Sequence, residues 1–155
     1  MLCANPKSRR NVSGSHFVIV ASKYNARYVE AMLKAAKKEF ALAKATVKVV
    51  RVPGAFEIPV VAAKLAKSDA AKLSGIVCLG VILRGATTHA QHIGEAVSNS
   101  LAAIQINFQV PIIHEVLLLE NEEQAKARCL SKTHNRGTEA AQTAIEMARV
   151  MSSLV

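Results

Sequence analysis

The sequence predicts an α/β fold in which a central, mainly parallel four-stranded sheet is covered by helices on both faces. Three observations carry that expectation. Short β-branched runs, apolar on both faces, alternate along the chain with longer segments of helical period. The helical segments carry apolar stripes at the spacing of one helix face. Pro, Gly and Asn stand at the junctions, where the backbone must turn.

The run His16-Phe-Val-Ile-Val-Ala21 comes first, short and β-branched like a strand buried in a parallel sheet. From Asn25 the period changes. Val29, Met32, Leu33, Ala36 and Phe40 fall at i, i+3, i+4, i+7 and i+11, the stripe of an amphipathic helix with lysines on its other face. Residues 46–52 alternate and stop at Pro53-Gly54, since proline cannot donate a ladder hydrogen bond. A short helix over about 58–66 follows. Gly75-Ile-Val-Cys-Leu-Gly-Val-Ile82 reads as the third strand, and the helix after it carries Ile93, Val97, Leu101, Ile104 and Phe108 on one face. Residues 110–117 form the fourth strand. Asn121 with Gln124 three residues on reads as a capping pair that opens a helix to about residue 130. Asn135 and Gly137 punctuate before a last helix to about residue 151. This alternation implies right-handed crossovers and a three-layer α/β/α sandwich of flavodoxin-like type.

A chain of 155 residues buries roughly two-thirds of its unfolded surface, enough for one core. A single domain over 16–155 is therefore expected, preceded by a looser arm over 1–15. With 51% hydrophobic and 20% charged residues, long disorder is not expected. The net charge of +9 attracts nucleic acid, anionic membrane or phosphorylated metabolites alike. Much of it stands at helical spacing (Lys34, Lys37, Lys38, Lys44) or in the arm (Lys7, Arg9, Arg10), as solvated surface does. Aromatic residues are few and not interleaved with basic ones, so a stacking platform for single-stranded nucleic acid is not expected. The apolar run over 17–21 is too short for a signal-peptide core or a membrane span. Cys3, Cys78 and Cys129 form no CxxC pair, and an odd count points to reduced thiols. These readings predict a cytoplasmic protein with neither nucleic acid nor membrane as partner.

In parallel sheets ligands bind beyond the carboxyl ends of the strands, so the residues just after each strand are the candidates. After the third strand the chain reads Leu83-Arg-Gly-Ala-Thr-Thr-His-Ala-Gln-His92. Thr88 with Gln91 fits a capping box, which makes His89 the first helical residue. The backbone N–H groups of residues 85–89 then form a cradle for an anion such as a phosphate, and His89 beside them is a candidate proton carrier. A glycine turn, a threonine cap and a solvent-facing histidine would produce the same pattern. After the second strand, Pro53, Gly54 and Pro59 fix the backbone around Phe56 and Glu57, a carboxylate able to accept hydrogen bonds from substrate hydroxyls or simply to suit a first helical turn. After the first strand, Tyr24 offers a ring to stack on a flat ligand and Asn25 a helix cap. Lys126, Arg128, Lys132 and Arg136 include possible phosphate anchors. No P-loop and no dinucleotide glycine signature is present. His92, one turn beyond His89, has no third ligand near it in sequence, so zinc is not expected.

Lys23-Tyr-Asn25, Val52-Pro-Gly-Ala-Phe-Glu-Ile-Pro59, Gly80-Val-Ile-Leu-Arg-Gly-Ala-Thr-Thr-His89 and Asn135-Arg-Gly137 resemble, in that order and spacing, the segments of the lumazine synthase family. The resemblance runs from Phe17 to Met151. It implies condensation of 5-amino-6-(ribitylamino)uracil with 3,4-dihydroxy-2-butanone 4-phosphate, giving 6,7-dimethyl-8-ribityllumazine, phosphate and water, with no cofactor and no metal. It further implies that Tyr24 and Asn25 flank the pyrimidine, backbone groups of Val81, Ile82 and Leu83 read its edge, and Ala55, Phe56 and Glu57 hold the ribityl chain. Ala86 and Thr87 would bind the phosphate, Arg128 would clamp it, and His89 would move protons. Family members build their sites between subunits of a pentamer, sometimes in a 60-subunit shell, so His114 and Arg128 are expected to reach a neighbour's pocket. The arm would then add to a neighbour's sheet.

The chain departs from the family pattern at several positions. His114 stands where an aromatic residue is common, followed by Glu115 and then Leu118-Leu119 in place of small polar residues. Gln91 replaces an aspartate. Cys129-Leu130 and Thr133-His134 occupy positions where glycine is frequent in shell-forming members, which leaves assembly size open. Competing readings are an archaeal-type riboflavin synthase, a non-catalytic flavin or lumazine carrier, and a basic nucleic-acid-binding protein.

Overall fold

The computed structural model describes residues 11–154; the greater part of the expected arm, with Cys3, Lys7, Arg9 and Arg10, lies outside them. The elements are β1 (His16–Ser22), α1 (Ala26–Leu42), β2 (Thr46–Val52), α2 (Ile58–Asp69), β3 (Gly75–Leu83), α3 (His89–Phe108), β4 (Ile112–Leu119), α4 (Glu122–Ala125) and α5 (Arg136–Ser153). A 3₁₀ turn, Ala55–Glu57, leads into α2, and a wider π-type turn, Lys126–Leu130, continues α4. The strands form one sheet in the order β2-β1-β3-β4, each neighbouring pair parallel.

The strands and helices explain one another through period. Alternate residues of a strand face opposite sides. In β1, Phe17, Ile19 and Ala21 join Val77, Leu79 and Val81 of β3 under α1 and α5, while Val18 and Val20 join Ile76 and Cys78 under α2 and α3. Both faces are therefore core, which is why β1 and β3 read as continuous apolar runs. The predicted stripe of α1 is the buried one, with Val29, Met32, Ala36 and Phe40 fully covered. Phe40 stacks on Phe17, ring centroids 4.6 Å apart. Two buried thiols sit in this interior: burial pushes Cys78 up to about 12, and burial and then the charge of Glu115 push Cys129 up to about 11.

Four local expectations are corrected. The fourth strand begins at Ile112 rather than Val110, because Pro111 lacks an N–H; its carbonyl accepts from Ile76 N (2.9 Å). Asn25 does not cap α1 with its side chain. It adopts the left-handed conformation (φ 55°), and its side-chain amide donates to Val81 O (2.7 Å). The capping box at Thr88 and Gln91 does not form: Thr88 makes no cap hydrogen bond, and the amide of His89 instead donates to Thr87 Oγ1 (3.4 Å). Gly137 does more than mark a boundary. Asn135 is the cap, accepting from Gly137 N (2.8 Å), and Gly137 lies inside α5, where a Cβ would stand 2.0 Å from Met32 O of α1. By contrast the Asn121 cap forms as read, its side chain accepting from Gln124 N (2.9 Å).

Among the described residues no helix is long and apolar enough to cross a membrane, and no three His, Cys, Asp or Glu side chains are grouped to hold a metal ion.

Candidate active site

The carboxyl ends of β1, β2 and β3 open onto a cavity of about 950 Å³. Its floor is set by close packing. A Cβ on Gly80 would meet Val116, Ile58 and Ser22 at 3.2–3.4 Å, so the glycine lets β3 lie tight against α2. The loops after β1 and β2 are knitted together: Lys23 N donates to Val52 O (2.8 Å) and Tyr24 N to Pro53 O (3.1 Å). Asn25, bonded to Val81 O, ties the first loop to the end of β3. Three segments distant in sequence are thereby held in one place.

Of the residues singled out in the sequence, Tyr24, Asn25, Ala55, Phe56, Glu57, Val81, Ile82, Leu83, Thr87 and His89 line this cavity. Tyr24 is 74% exposed and Phe56 61%, large rings left wet where a flat ligand could cover them. A Cβ on Gly54 would lie 2.9 Å from Glu57 Oε2, so glycine there leaves room for the carboxylate. On the far wall α3 begins with His89, and the residues over 85–89 are exposed. Among the described residues none accepts a hydrogen bond from the amides over 85–88. Free amides at a helix start attract an anion. The arrangement can stack a planar ring, bind hydroxyls, hold an anion and offer an imidazole.

Gly85, part of the expected anion cradle, lines the cavity as well, and Gly54, Ala90, His92, Ile93 and Ala96 do so without having been singled out as binding residues. Helical spacing carried the missed signal: His92, Ile93 and Ala96 follow His89 at i+3, i+4 and i+7, one face of one helix.

Three expected residues lie elsewhere. Ala86 is exposed in the turn but is not a lining residue, and neither His114 nor Arg128 lines the cavity of its own chain. His114 sits on β4, the open edge of the sheet. Its Nδ1 accepts from Val116 N (3.1 Å), which leaves the proton on Nε2 to be donated to Ser98 Oγ (2.7 Å). Burial pushes its pKa below the ordinary histidine value. Arg128 is exposed, and its guanidinium donates to the carbonyl of Gln124 (3.5 Å). Arg136 is removed from the phosphate-anchor candidates. Its guanidinium pairs with Glu115 (2.7 Å) and Glu139 (3.0 Å), and the Glu115 side chain is fully buried. Burial pushes Glu115 up against the opposing pull of Arg136.

A parallel α/β sandwich with its ligand cavity at the carboxyl ends of three strands, open and free of a nucleotide-binding glycine loop, belongs to the class of small-molecule α/β proteins. The particular family follows from comparison. The model of the 6,7-dimethyl-8-ribityllumazine synthase family matches residues 14–152, and the chain belongs to that family. It is 36% identical over 148 residues to the 6,7-dimethyl-8-ribityllumazine synthase of Stenotrophomonas maltophilia strain R551-3, covering 94% of each chain. The protein of the same description from strain K279a matches equally, at 36% over 148 residues and 94% of each chain.

Proposed function

We propose that the chain condenses 5-amino-6-(ribitylamino)uracil with 3,4-dihydroxy-2-butanone 4-phosphate to form 6,7-dimethyl-8-ribityllumazine, a late step of riboflavin biosynthesis. The observation that carries this reading is the convergence, in one cavity, of two wet aromatic rings, a carboxylate, a turn of free amides and His89. Tyr24 covers the flat pyrimidine, with Asn25 holding the edge of β3 to which it is bonded. Backbone groups of Val81, Ile82 and Leu83 read the pyrimidine edge, and Ala55, Phe56 and Glu57 hold the ribityl chain. The turn with Ala86 and Thr87 takes the phosphate, where free amides need no counter-charge of their own. His89 gives and takes protons as the imine forms, phosphate leaves and the ring closes. Much of the acceleration comes from holding two substrates together. On this reading the reaction draws on no metal and no cofactor.

His114 and Arg128, outside their own chain's cavity, complete the site of a neighbouring subunit in a homopentamer or a larger shell, with Arg128 clamping the phosphate. Residues 16–155 act as a single domain. The protein works in the cytoplasm on small molecules.

Purified protein mixed with both substrates should produce lumazine, followed by absorbance. No product together with tight riboflavin binding would replace the enzyme by a carrier. Solution mass of a size corresponding to one chain would remove the shared site.

A further inference from the structure

Arg84 is the first residue beyond β3, and it is held from both sides. Its amide donates to Leu119 O (2.8 Å), carrying the β3–β4 ladder one step past the strand. Its guanidinium Nε donates to Glu120 Oε1 (3.0 Å) and an Nη to Gln91 Oε1 (2.7 Å). Gln91 Nε2 donates onward to Glu95 Oε1 (2.6 Å). The turn over 85–88 lies in sequence between Arg84 and the first turn of α3, where Gln91 stands. The Arg84–Gln91 bond therefore closes that turn from behind, and Glu120 fixes the guanidinium to the exit of β4.

The residue type at 91 follows from its two partners. Toward Arg84 it must accept and toward Glu95 it must donate; a side-chain amide does both, whereas an ionised carboxylate can only accept and would repel Glu95 one turn on. Gln91 brings no charge, so that among the described residues the arginine charge is offset by its salt bridge to Glu120, whose side chain is 59% exposed. Gln91 is bonded to Arg84 and Glu95, not to His89, so its place in the site is to hold the turn rather than to orient the imidazole.

We propose that Arg84 is a positioning residue for phosphate. Arg84 does not line the cavity, so it acts through the turn, two of whose residues, Gly85 and Thr87, do line it. The inference rests on the proposed function, which assigns that turn to the phosphate of the substrate. A planar guanidinium can bond Glu120 and Gln91 at once; a lysine ammonium keeps the charge but does not reproduce the fork.

The test compares the wild type with Arg84→Lys and Arg84→Gln. Inorganic phosphate affinity is measured by calorimetry, and KM separately for each substrate. Loss of one charge-assisted tether should weaken phosphate binding and raise KM for the phosphorylated substrate by about tenfold in both variants. KM for the aminopyrimidine and the melting temperature should hold. Wild-type phosphate affinity in Arg84→Lys would reduce the role to charge and overturn the positioning claim. Equal rises in both KM values would overturn it too, as general damage. A wild-type protein that binds phosphate but makes no lumazine would instead sink the proposed reaction, while the phosphate affinities of the variants still decide the role of Arg84.

Discussion

Gly137→Ala should destabilise the protein although alanine is the better helix former. A Cβ at residue 137 would lie 2.0 Å from Met32 O and 2.6 Å from Met32 C and Cα, all backbone atoms that cannot swing aside. Ordinary contact begins near 3.4 Å, so α5 would have to retreat from α1 by about 1.4 Å. Ala36 of α1 and Ala140, Ala141 and Ala144 of α5 are fully buried in this region, with no side-chain length to yield to the shift. A gap of even 0.5–1 Å forfeits roughly a quarter to a half of each contact's attraction. Overpacking of this severity costs about 3 kcal/mol, against which replacing glycine in a helix recovers up to about 1 kcal/mol. The net loss of about 2 kcal/mol corresponds to roughly 4–8 °C in Tm for a chain of this length. Urea and thermal unfolding at one fixed protein concentration measure it. A variant as stable as the parent, or more stable as helix propensity alone demands, would refute the close approach of the two helices.

Removing Arg136 should be worse than removing the whole pair. Arg136→Met leaves the buried Glu115 carboxylate without its partner and should cost about 3–5 kcal/mol, while Glu115→Leu with Arg136→Met should regain most of it in a double-mutant cycle. His114 should confer acid sensitivity. Its folded pKa is depressed, so the unfolded ring takes up a proton first as pH falls through about 6.5 and stability drops in that window. His114→Gln should flatten the stability profile there, and unchanged curvature would clear His114. In a Cys3→Ser background, Cys78 and Cys129 should resist thiol reagents until the chain unfolds and then react as two thiols; rapid native labelling would contradict their burial. His89→Ala should lower kcat by about 10²–10⁴-fold and leave measurable lumazine formation, since proximity survives the loss of the proton carrier. Wild-type turnover would take His89 out of the mechanism.

The elements were legible because each is governed by local rules. The buried face of α1 is the stripe seen at Val29, Met32, Ala36 and Phe40, and the Asn121 cap needs only residues three apart. Asn25 and Gln91 misled for a common reason. Each has a capping use that its sequence neighbours suggest, and each side chain is taken instead by other partners: Val81, 56 positions away, for Asn25, and Arg84 and Glu95 for Gln91. Side-chain amides satisfy whichever donor or acceptor is nearest in space, and sequence spacing does not order those distances.

By itself the sequence determined the class of fold and the family, because period, turn chemistry and ordered motifs are properties of short segments read one after another. Only the tertiary structure decided which of them face each other. It put the Tyr24, Phe56 and His89 loops around one space and left His114 on the open sheet edge. It committed Arg136 to a buried carboxylate of its own chain rather than to a phosphate, and turned Gly137 from punctuation into a helix contact. Those outcomes depend on contacts between residues as many as 105 positions apart, such as Met32 and Gly137, whose distance is set by the packing of whole elements and by nothing local to either residue.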